Sequence, residues 1–271
     1  MTAITRARPE NAIALQTQLS RRIDATQQQI ATGARISIPS QDPASWTQIS
    51  RIARDQADIA AWLSNIDRAT AITQQSDTAL GLVTSQLQRA SELAVQAGNG
   101  TLSVDDRTVI AAELDAIRLS VNALVEQQDG YGQALFATSE PIKYPVGPDS
   151  MIAATTARSS LGDPDAVMAA LISAVANNDQ PALADARDAL RVQAEQINLA
   201  QAQQGIAANR FEQLGTTLRA RQIDNSEWRS TLADTDISVA IANVQSLLVT
   251  LQAAQATYAR VEQSTLFDYL R

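Results

Sequence analysis

Two carboxylates near the start of the last predicted helix, Asp234 and Asp236, are the best candidates in the sequence for a chemical site. The pair would suit Ca²⁺ binding or acid–base catalysis, but the glycine and bidentate glutamate of a calcium loop are missing at the required offsets. The chain contains no His and no Cys, which removes the commonest general base, the thiol nucleophile and most zinc, copper and iron ligands. We therefore expect no cofactor and no metal, and expect the aspartates to begin a helix before Ile237.

A glycine-rich stretch, Gly98-Asn99-Gly100, is the candidate for a phosphate loop. A phosphate loop opens a helix after a strand, whereas this stretch follows a long helical pattern and is predicted to end a helix. The formal net charge of −8, with Lys143 as the one lysine, also argues against a broad phosphate-binding surface. We expect no nucleic-acid partner.

Hydropathy predicts neither a membrane span nor a secretory signal. No uninterrupted apolar run approaches the roughly 18–20 residues that cross a bilayer. The N-terminus leads into polar sequence and lacks the apolar core of a cleaved signal peptide. We therefore expect no membrane insertion, and any export would use a route without a cleaved signal.

Five segments carry apolar residues at alternating spacings of three and four, the period of helices that pack along narrow stripes. Aromatic residues make up only 4% of the chain, so Ala, Leu, Ile and Val must supply most of the packing. The second helix is predicted from about residue 43 to 97, a length of about 80 Å at 1.5 Å per residue. The first and last stripes are Leu15, Leu19, Ile23 and Ile30, and Ile237, Ile241, Val244, Leu248, Leu251, Gln255 and Tyr258.

Capping residues mark the helix starts, and a different pattern separates the two halves. Asp42 and Asp163 each precede a proline suited to the first helical position, and Ser103 with Asp106 matches a capping box. Between residues 138 and 162, prolines and glycines separate short extended pieces, and a short helix follows at about 164–177. The predicted fold is all-α: an elongated antiparallel long-helix hairpin, with both chain ends in a coiled-coil bundle and a small irregular or β-containing insert at its tip.

Several stretches resemble the bacterial flagellin family. They are residues 30–37 (IATGARIS), 39–44 (PSQDPA), 87–101 (LQRASELAVQAGNGT), 208–210 (ANR) and 232–236 (LADTD). The resemblance covers about residues 10–136 and 180–271. It implies a structural subunit of the flagellum rather than an enzyme.

Within that family the chain is more similar to the members that join the hook to the filament than to the filament subunits. The signs are the stretch at 39–43, the ending STLFDYLR at 264–271, and GQALFA at 132–137 where many flagellins carry Phe-Asn-Gly. A filament flagellin that polymerises by itself is the alternative.

The resemblance implies three domains and a set of partners. Residues 1–41 plus 232–271 would form a terminal coiled-coil domain in the inner tube, 42–137 plus 179–231 a long-helix rod, and 138–178 a small variable insert. Neighbouring subunits would be a hook-side adaptor protein, flagellin and further copies of this chain. It also implies an extracellular location on the flagellum, type III export and a cytoplasmic chaperone for the C-terminal helix.

Candidate assembly residues follow from the stripes and from the resemblance. Gly33 permits a turn after the first helix, and Arg35 and Asp42 are expected to anchor the following loop. The alternative for Arg35 is a solvated charge near a helix C-terminus. The stripe members proposed for the interface are Leu15, Leu19, Ile23, Ile30, Leu248, Leu251 and Tyr258.

Two further sets of candidates have alternatives of their own. Arg89, Glu92 and Leu93 resemble the part of flagellins that an adjacent subunit contacts, and an exposed ion pair between Arg89 and Glu92 is the alternative. Phe267 and Tyr269 would dock on a neighbour or a chaperone, and fraying in solvent is the alternative.

The first helix, over about residues 10–31, is short and polar, so we expect it to fold only on assembly. Three rival classes stay open at this point. They are a flagellin-like surface protein that binds a ligand through the insert, a coiled-coil scaffold unrelated to flagella, and an enzyme that uses carboxylates alone.

Overall fold

The computed structural model describes the backbone of residues 3–269 and the side chains of residues 11–260. Within that range the helices are α1 (Ala3–Thr32), α2 (Pro43–Ala97), α3 (Val104–Val125), α4 (Pro164–Ala176), α5 (Gln180–Ala233) and α6 (Ile237–Tyr269). Two short strands, β1 (Lys143–Gly147) and β2 (Ser150–Ala153), and a 3-10 turn (Arg158–Leu161) lie between α3 and α4. The all-α prediction is confirmed, including both ends of the 55-residue α2.

The chain divides into two compact units, of which the first combines residues up to Gln56 with residues from Ile223 onward. Here α1 packs along α6 in antiparallel order, since the end of α1 pairs with the start of α6 through a bridge between Ala34 and Asp234. Among the side chains that the structure describes in this unit, the buried apolar ones are Leu19, Ile23, Ile36, Ile52 and Ala240. The predicted three-part division at residues 41, 137, 178 and 231 concerns layers of an assembly and stays a prediction.

The second unit, Ala57–Gln222, holds the main core, which is built on the predicted stripes of α2 and α5. The two helices are antiparallel here, with Gly215 facing Ile66 and Gly81 facing Gln201. All ten predicted α2 stripe residues are buried: Ile66, Ala69, Thr73, Ser76, Leu80, Val83, Leu87, Ala90, Ala94 and Ala97. In α5 the predicted stripe from Leu183 to Leu218 is buried apart from Ala207 and Leu214, which pack half-buried against the same core.

Helix α3 is joined to α2 by the ion pair between Arg89 and Glu113, and α4 packs on α3. The predicted capping box is present: Ser103 Oγ accepts the backbone N–H of Asp106 at 3.1 Å, and the Asp106 carboxylate accepts the backbone N–H of Ser103 at 3.1 Å. The predicted cap at Asp163 also holds, with its carboxylate accepting the Ala166 N–H. At the α3–α4 contact, Asp165 accepts hydrogen bonds from Asn122 and Arg118, which together lower the pKa of its carboxyl. The sequence signals therefore place these helix ends correctly.

The insert contains the antiparallel hairpin β1–β2, with Tyr144 opposite Ile152. It is attached to α2 and α5. The attachment includes hydrogen bonds from polar stripe residues to the insert backbone. Thr73 Oγ1 and Gln204 Nε2 both donate to the Ala154 carbonyl, at 2.8 and 2.5 Å.

A third buried side chain, Gln193, donates Nε2 to the Leu161 carbonyl at 2.5 Å. Gln193 and Gln204 are each 2% exposed and Thr73 is 1% exposed, so these bonds are sheltered from water. A buried carbonyl without a donor would be strongly unfavourable. The polar members of the two stripes therefore hold the insert in place.

Gly162 supplies a first test of this attachment. It has a φ of 74°, and a Cβ there would overlap Gln196 Oε1 and lie 2.7 Å from Gln193 Oε1. We expect Gly162→Ala to lower the free energy of unfolding by about 1–3 kcal/mol, through left-handed strain and displacement of Gln193. The matched control is Gly205→Ala at an open position within α5, which we expect to raise stability by about 0.5–1 kcal/mol. Urea unfolding followed by circular dichroism measures both, and equal effects would contradict the packing described.

Candidate assembly surfaces

The loop after α1 is anchored to the end of α5. Gly33 adopts a φ of 69°, and its carbonyl accepts the Thr235 N–H at 2.8 Å. Arg35 donates its backbone N–H to the Ala233 carbonyl and Nη2 to the Leu232 carbonyl, both at 2.7 Å. Carbonyls at a helix C-terminus lack intrahelical partners and carry partial negative charge, which favours a guanidinium there. Arg35 therefore anchors the loop, as predicted, and it also lies at a helix C-terminus, as the alternative predicted.

Asp42 caps α2 from the other end of this loop. Its carboxylate accepts the Ser45 backbone N–H at 3.0 Å and the Ser45 hydroxyl at 2.7 Å. These hydrogen bonds to Ser45, aided by the charge of Arg35, lower the pKa of Asp42 from its ordinary 3.8. Asp236 caps α6 in the same way by accepting the Val239 N–H at 3.1 Å, as predicted for this aspartate. A direct contact of Gly33, Arg35 or Asp42 with another subunit remains a prediction.

Helix α6 has an apolar face that the described residues leave uncovered. Its half-buried or buried positions are Ala240, Val244, Leu247, Leu251, Ala254 and Tyr258. The predicted stripe is therefore displaced, because Ile237, Ile241 and Leu248 are 49%, 43% and 40% exposed. Val239 and Val249 are exposed as well. Burial of this surface requires a partner, because exposed apolar area costs free energy in water.

Helix α1 also has both buried and exposed apolar side chains. Leu19 and Ile23 are each 6% exposed, and Ile30 is half-buried. Ile13 and Leu15 are 54% and 50% exposed. Leu15 is therefore available to a partner, whereas Leu19 and Ile23 are already used within the chain.

By length and composition, the 24-residue stretch Ile237–Arg260 of α6 is apolar enough to cross a membrane, and only 6% of its most apolar window is buried. The stretch contains no uninterrupted apolar run of that length, because Ser, Asn, Gln and Thr residues stand between its apolar ones. Such a helix can be covered by lipid or by protein.

The Arg89 region forms an ion cluster within the chain. Arg89 Nη1 lies 3.1 Å from Glu92 Oε2, and Nη2 lies 2.7 Å from Glu113 Oε1 on α3. These hydrogen bonds raise the pKa of the guanidinium, the bond to Glu113 most. Leu93 is 2% exposed and belongs to the core, so of the three predicted contact residues only Arg89 and Glu92 present surface. The sequence did not reveal Glu113, whose partner lies 24 residues earlier in the chain.

The remaining candidates and cavities add no chemical site. The side chains of Phe267 and Tyr269 lie outside those that the structure describes. A groove between α1 and α6, not foreseen from the sequence, is lined by Arg22, Ala25, Thr26, Gln29, Asn243, Ser246 and Leu247. Among the described residues, no group of His, Asp or Glu is arranged to hold a metal ion.

Long paired helices with an uncovered apolar face are typical of subunits that pack against other subunits, and comparison with known proteins shows what the chain is similar to. Residues 7–140 match the family of the bacterial flagellin N-terminal helical region. Flagellar hook-associated protein 3 of Salmonella typhimurium is 36% identical over 110 residues, which cover 41% of this chain and 35% of that protein. The Escherichia coli protein of the same name is 26% identical over a 287-position alignment that covers 89% of this chain and 90% of that protein.

A solved structure of a flagellar hook-associated protein from Vibrio parahaemolyticus has the same fold. It superposes with a TM-score of 0.66 at 17% identity and covers 72% of this chain and all of that one (100%). Over residues 7–140, about half of its length, the chain is similar to the bacterial flagellin family, and over most of its length it is similar to a flagellar hook-associated protein. The resemblance predicted from the sequence is confirmed.

Asp42 yields a test of how the loop controls the start of α2. Because its folded pKa is depressed, the cap contributes stability above about pH 4, and that contribution is lost as the pH falls through the folded pKa. We expect Asp42→Ala to lower the urea midpoint at neutral pH and to reduce the loss of stability on acidification. Asp42→Asn keeps a capping oxygen and is the matched control. It should lie between wild type and Asp42→Ala at neutral pH; an Asn variant as unstable as the Ala variant would contradict the capping role.

Proposed function

We propose that this chain is the structural subunit that joins the flagellar hook to the filament. The observation that carries the proposal is the alignment with Escherichia coli flagellar hook-associated protein 3, which extends over 89% of this chain and 90% of that protein. A match over nearly the whole length supports the role of the whole relative better than a match to one region. The motifs at 39–43 and 264–271 support the same branch of the family.

The partners follow from the same proposal. One end of the subunit layer would contact a hook-side adaptor protein, the other end flagellin, and neighbouring copies would lie beside each other. The protein would be exported by the type III apparatus without a cleaved signal, with a chaperone holding the C-terminal helix in the cytoplasm. It would work outside the cell, without a cofactor and without catalysis.

The uncovered face of α6 supports a role in assembly. Ile237, Ile241 and Leu248 lie beside the seam with α1, so a further helix from another subunit would extend an existing helix pair. Full burial of a fully exposed side chain of this size contributes about 1.5–3 kcal/mol. Ile237, Ile241 and Leu248 are 49%, 43% and 40% exposed, so each can contribute roughly half of that. Polar residues such as Asn243 and Gln245 alternate with these side chains, which favours burial against protein rather than in lipid.

This surface also gives a reason for folding on assembly. Among the described side chains of the first unit, the buried apolar ones are Leu19, Ile23, Ile36, Ile52 and Ala240. Helices such as α1 and α6 obtain most of their stability from packing rather than from propensity. Protease digestion of the free protein tests the expectation, since resistant termini would contradict it.

Electron microscopy of the purified full chain separates the two branches of the family. A junction protein should stay monomeric in solution and add one short layer to isolated hooks. Long tubular filaments of this protein alone would identify a filament flagellin and overturn the proposal.

Replacement of the α6 face tests how the subunit assembles. We expect the double change Ile241→Gln and Leu248→Gln to abolish addition to hooks and swimming, while the helicity of the free monomer stays unchanged because both side chains are exposed. The control is Val192→Gln with Leu199→Gln, which places the same change on exposed positions of α5. Normal assembly of the α6 variant, or equal loss in the control, would contradict an α6-specific interface.

A further inference from the structure

The turn between α2 and α3 contains an arrangement that the assembly role does not use. Asn99 directly precedes Gly100, and both residues are exposed. A Cβ built on Gly100 would meet no atom within 4 Å. The turn is therefore open on the side where a side chain at position 100 would project.

Thr101 polarises the carboxamide of Asn99. Its backbone N–H and its hydroxyl both donate to Asn99 Oδ1, at 3.2 and 2.9 Å. Two donors on one carbonyl oxygen withdraw electrons from Cγ and lie where negative charge develops when a nucleophile adds to that carbon. The pair therefore favours attack on Cγ of Asn99.

The Gly100 nitrogen belongs to the peptide that the Asn99 side chain spans. A hydrogen bond from the N–H of residue 101 to Oδ1 of residue 99 folds the side chain over the intervening peptide. Among the described residues, the Gly100 N–H donates no hydrogen bond that would hold it in place. Proximity of two reacting groups can replace much of the entropy lost in their encounter, and glycine offers no side chain to hinder ring closure.

We propose that Asn99 is a site of spontaneous deamidation that proceeds through a succinimide with Gly100. The Gly100 nitrogen gives up its proton and forms a bond to Cγ, the bond from Cγ to Nδ2 breaks, and the amide leaves as ammonia with the proton restored. Water then opens the ring at either carbonyl. One product is aspartate, and the other is isoaspartate with the main chain passing through the former side chain.

Other asparagines lack this combination. Asn209 lies within α5, where its carboxamide cannot fold over the next peptide nitrogen, and Asn122 lies within α3 with its amide bonded to Asp165. Asp129 before Gly130 has a similar turn, with Oδ1 accepting the Tyr131 N–H at 2.8 Å. Its ionised carboxylate is a far poorer electrophile than a carboxamide, so isomerisation there should be much slower.

The product would change the end of the long helix α2. Either product adds a negative charge two residues beyond Ala97, where the helix dipole is also negative. Isoaspartate in addition lengthens the main chain between α2 and α3 by one carbon. The fraction of subunits with a deamidated residue 99 would therefore increase slowly and irreversibly with the time since synthesis.

Peptide mass spectrometry of the full folded chain, aged in neutral and in mildly alkaline buffer, tests the proposal. We expect aspartate and isoaspartate at position 99 with one oxygen taken from heavy-oxygen water, faster formation at the higher pH, and no change at Asn209. Gly100→Ala fits the open space and should keep the fold, yet slow the reaction by about tenfold or more. Thr101→Val should slow it several-fold by removing the hydroxyl donor.

The variants also define the results that would overturn the proposal. An Asn99 that ages no faster than Asn209, or no faster in the folded chain than in urea, would show that the turn does not promote the reaction. An unchanged rate in Thr101→Val would remove the assigned role of the hydroxyl. Circular dichroism of both variants, with Gly205→Ala as the control, establishes that a slower rate does not come from unfolding.

Discussion

The close packing of α2 against α5 within Ala57–Gln222 is the constraint on which the rest of that unit depends. Small side chains at Ala69, Ala90 and Ala94 and larger ones at Leu80 and Leu87 are all buried in the core of this unit. A core of this kind can also hold buried polar side chains, provided that each of them has a hydrogen-bond partner. Thr73, Gln193 and Gln204 find theirs in the backbone of the insert, so the packing of α2 against α5 both forms the core and positions the segment between α3 and α4.

The first unit has one helix that exposes an apolar face. Its helices α1 and α6 pair through one narrow contact and leave a second apolar face uncovered. A surface of that kind is unfavourable in an isolated chain and useful in an assembly, where the same side chains become an interface. The anchor formed by Arg35 and the cap formed by Asp42 fix the loop between α1 and α2, where the chain changes direction.

The sequence predicts this fold best where a single helix face is apolar. The stripes of α2 and α5 alternate cleanly with polar residues, and nearly every predicted position is buried. Helix α6 is apolar on adjoining faces, with Ile237, Val239 and Ile241 close together, so periodicity alone selects the wrong stripe. The attachment of the insert to α2 and α5 was unpredictable because it uses backbone carbonyls, which every residue carries. The partners of Arg35 were hidden for another reason: Leu232 lies 197 residues away, and a carbonyl acceptor leaves no signature in the sequence.

The groups that attach the insert are uncharged. Hydroxyl and carboxamide donors meet backbone carbonyls, and salt in the medium screens charges on the surface but hardly affects buried neutral dipoles. The surface ion pairs, such as Arg89 with Glu92 or Arg191 with Glu195, must weaken as ionic strength rises. As ionic strength rises, the surface ion pairs would therefore weaken, whereas the buried hydrogen bonds would keep the insert in the same position on α2 and α5.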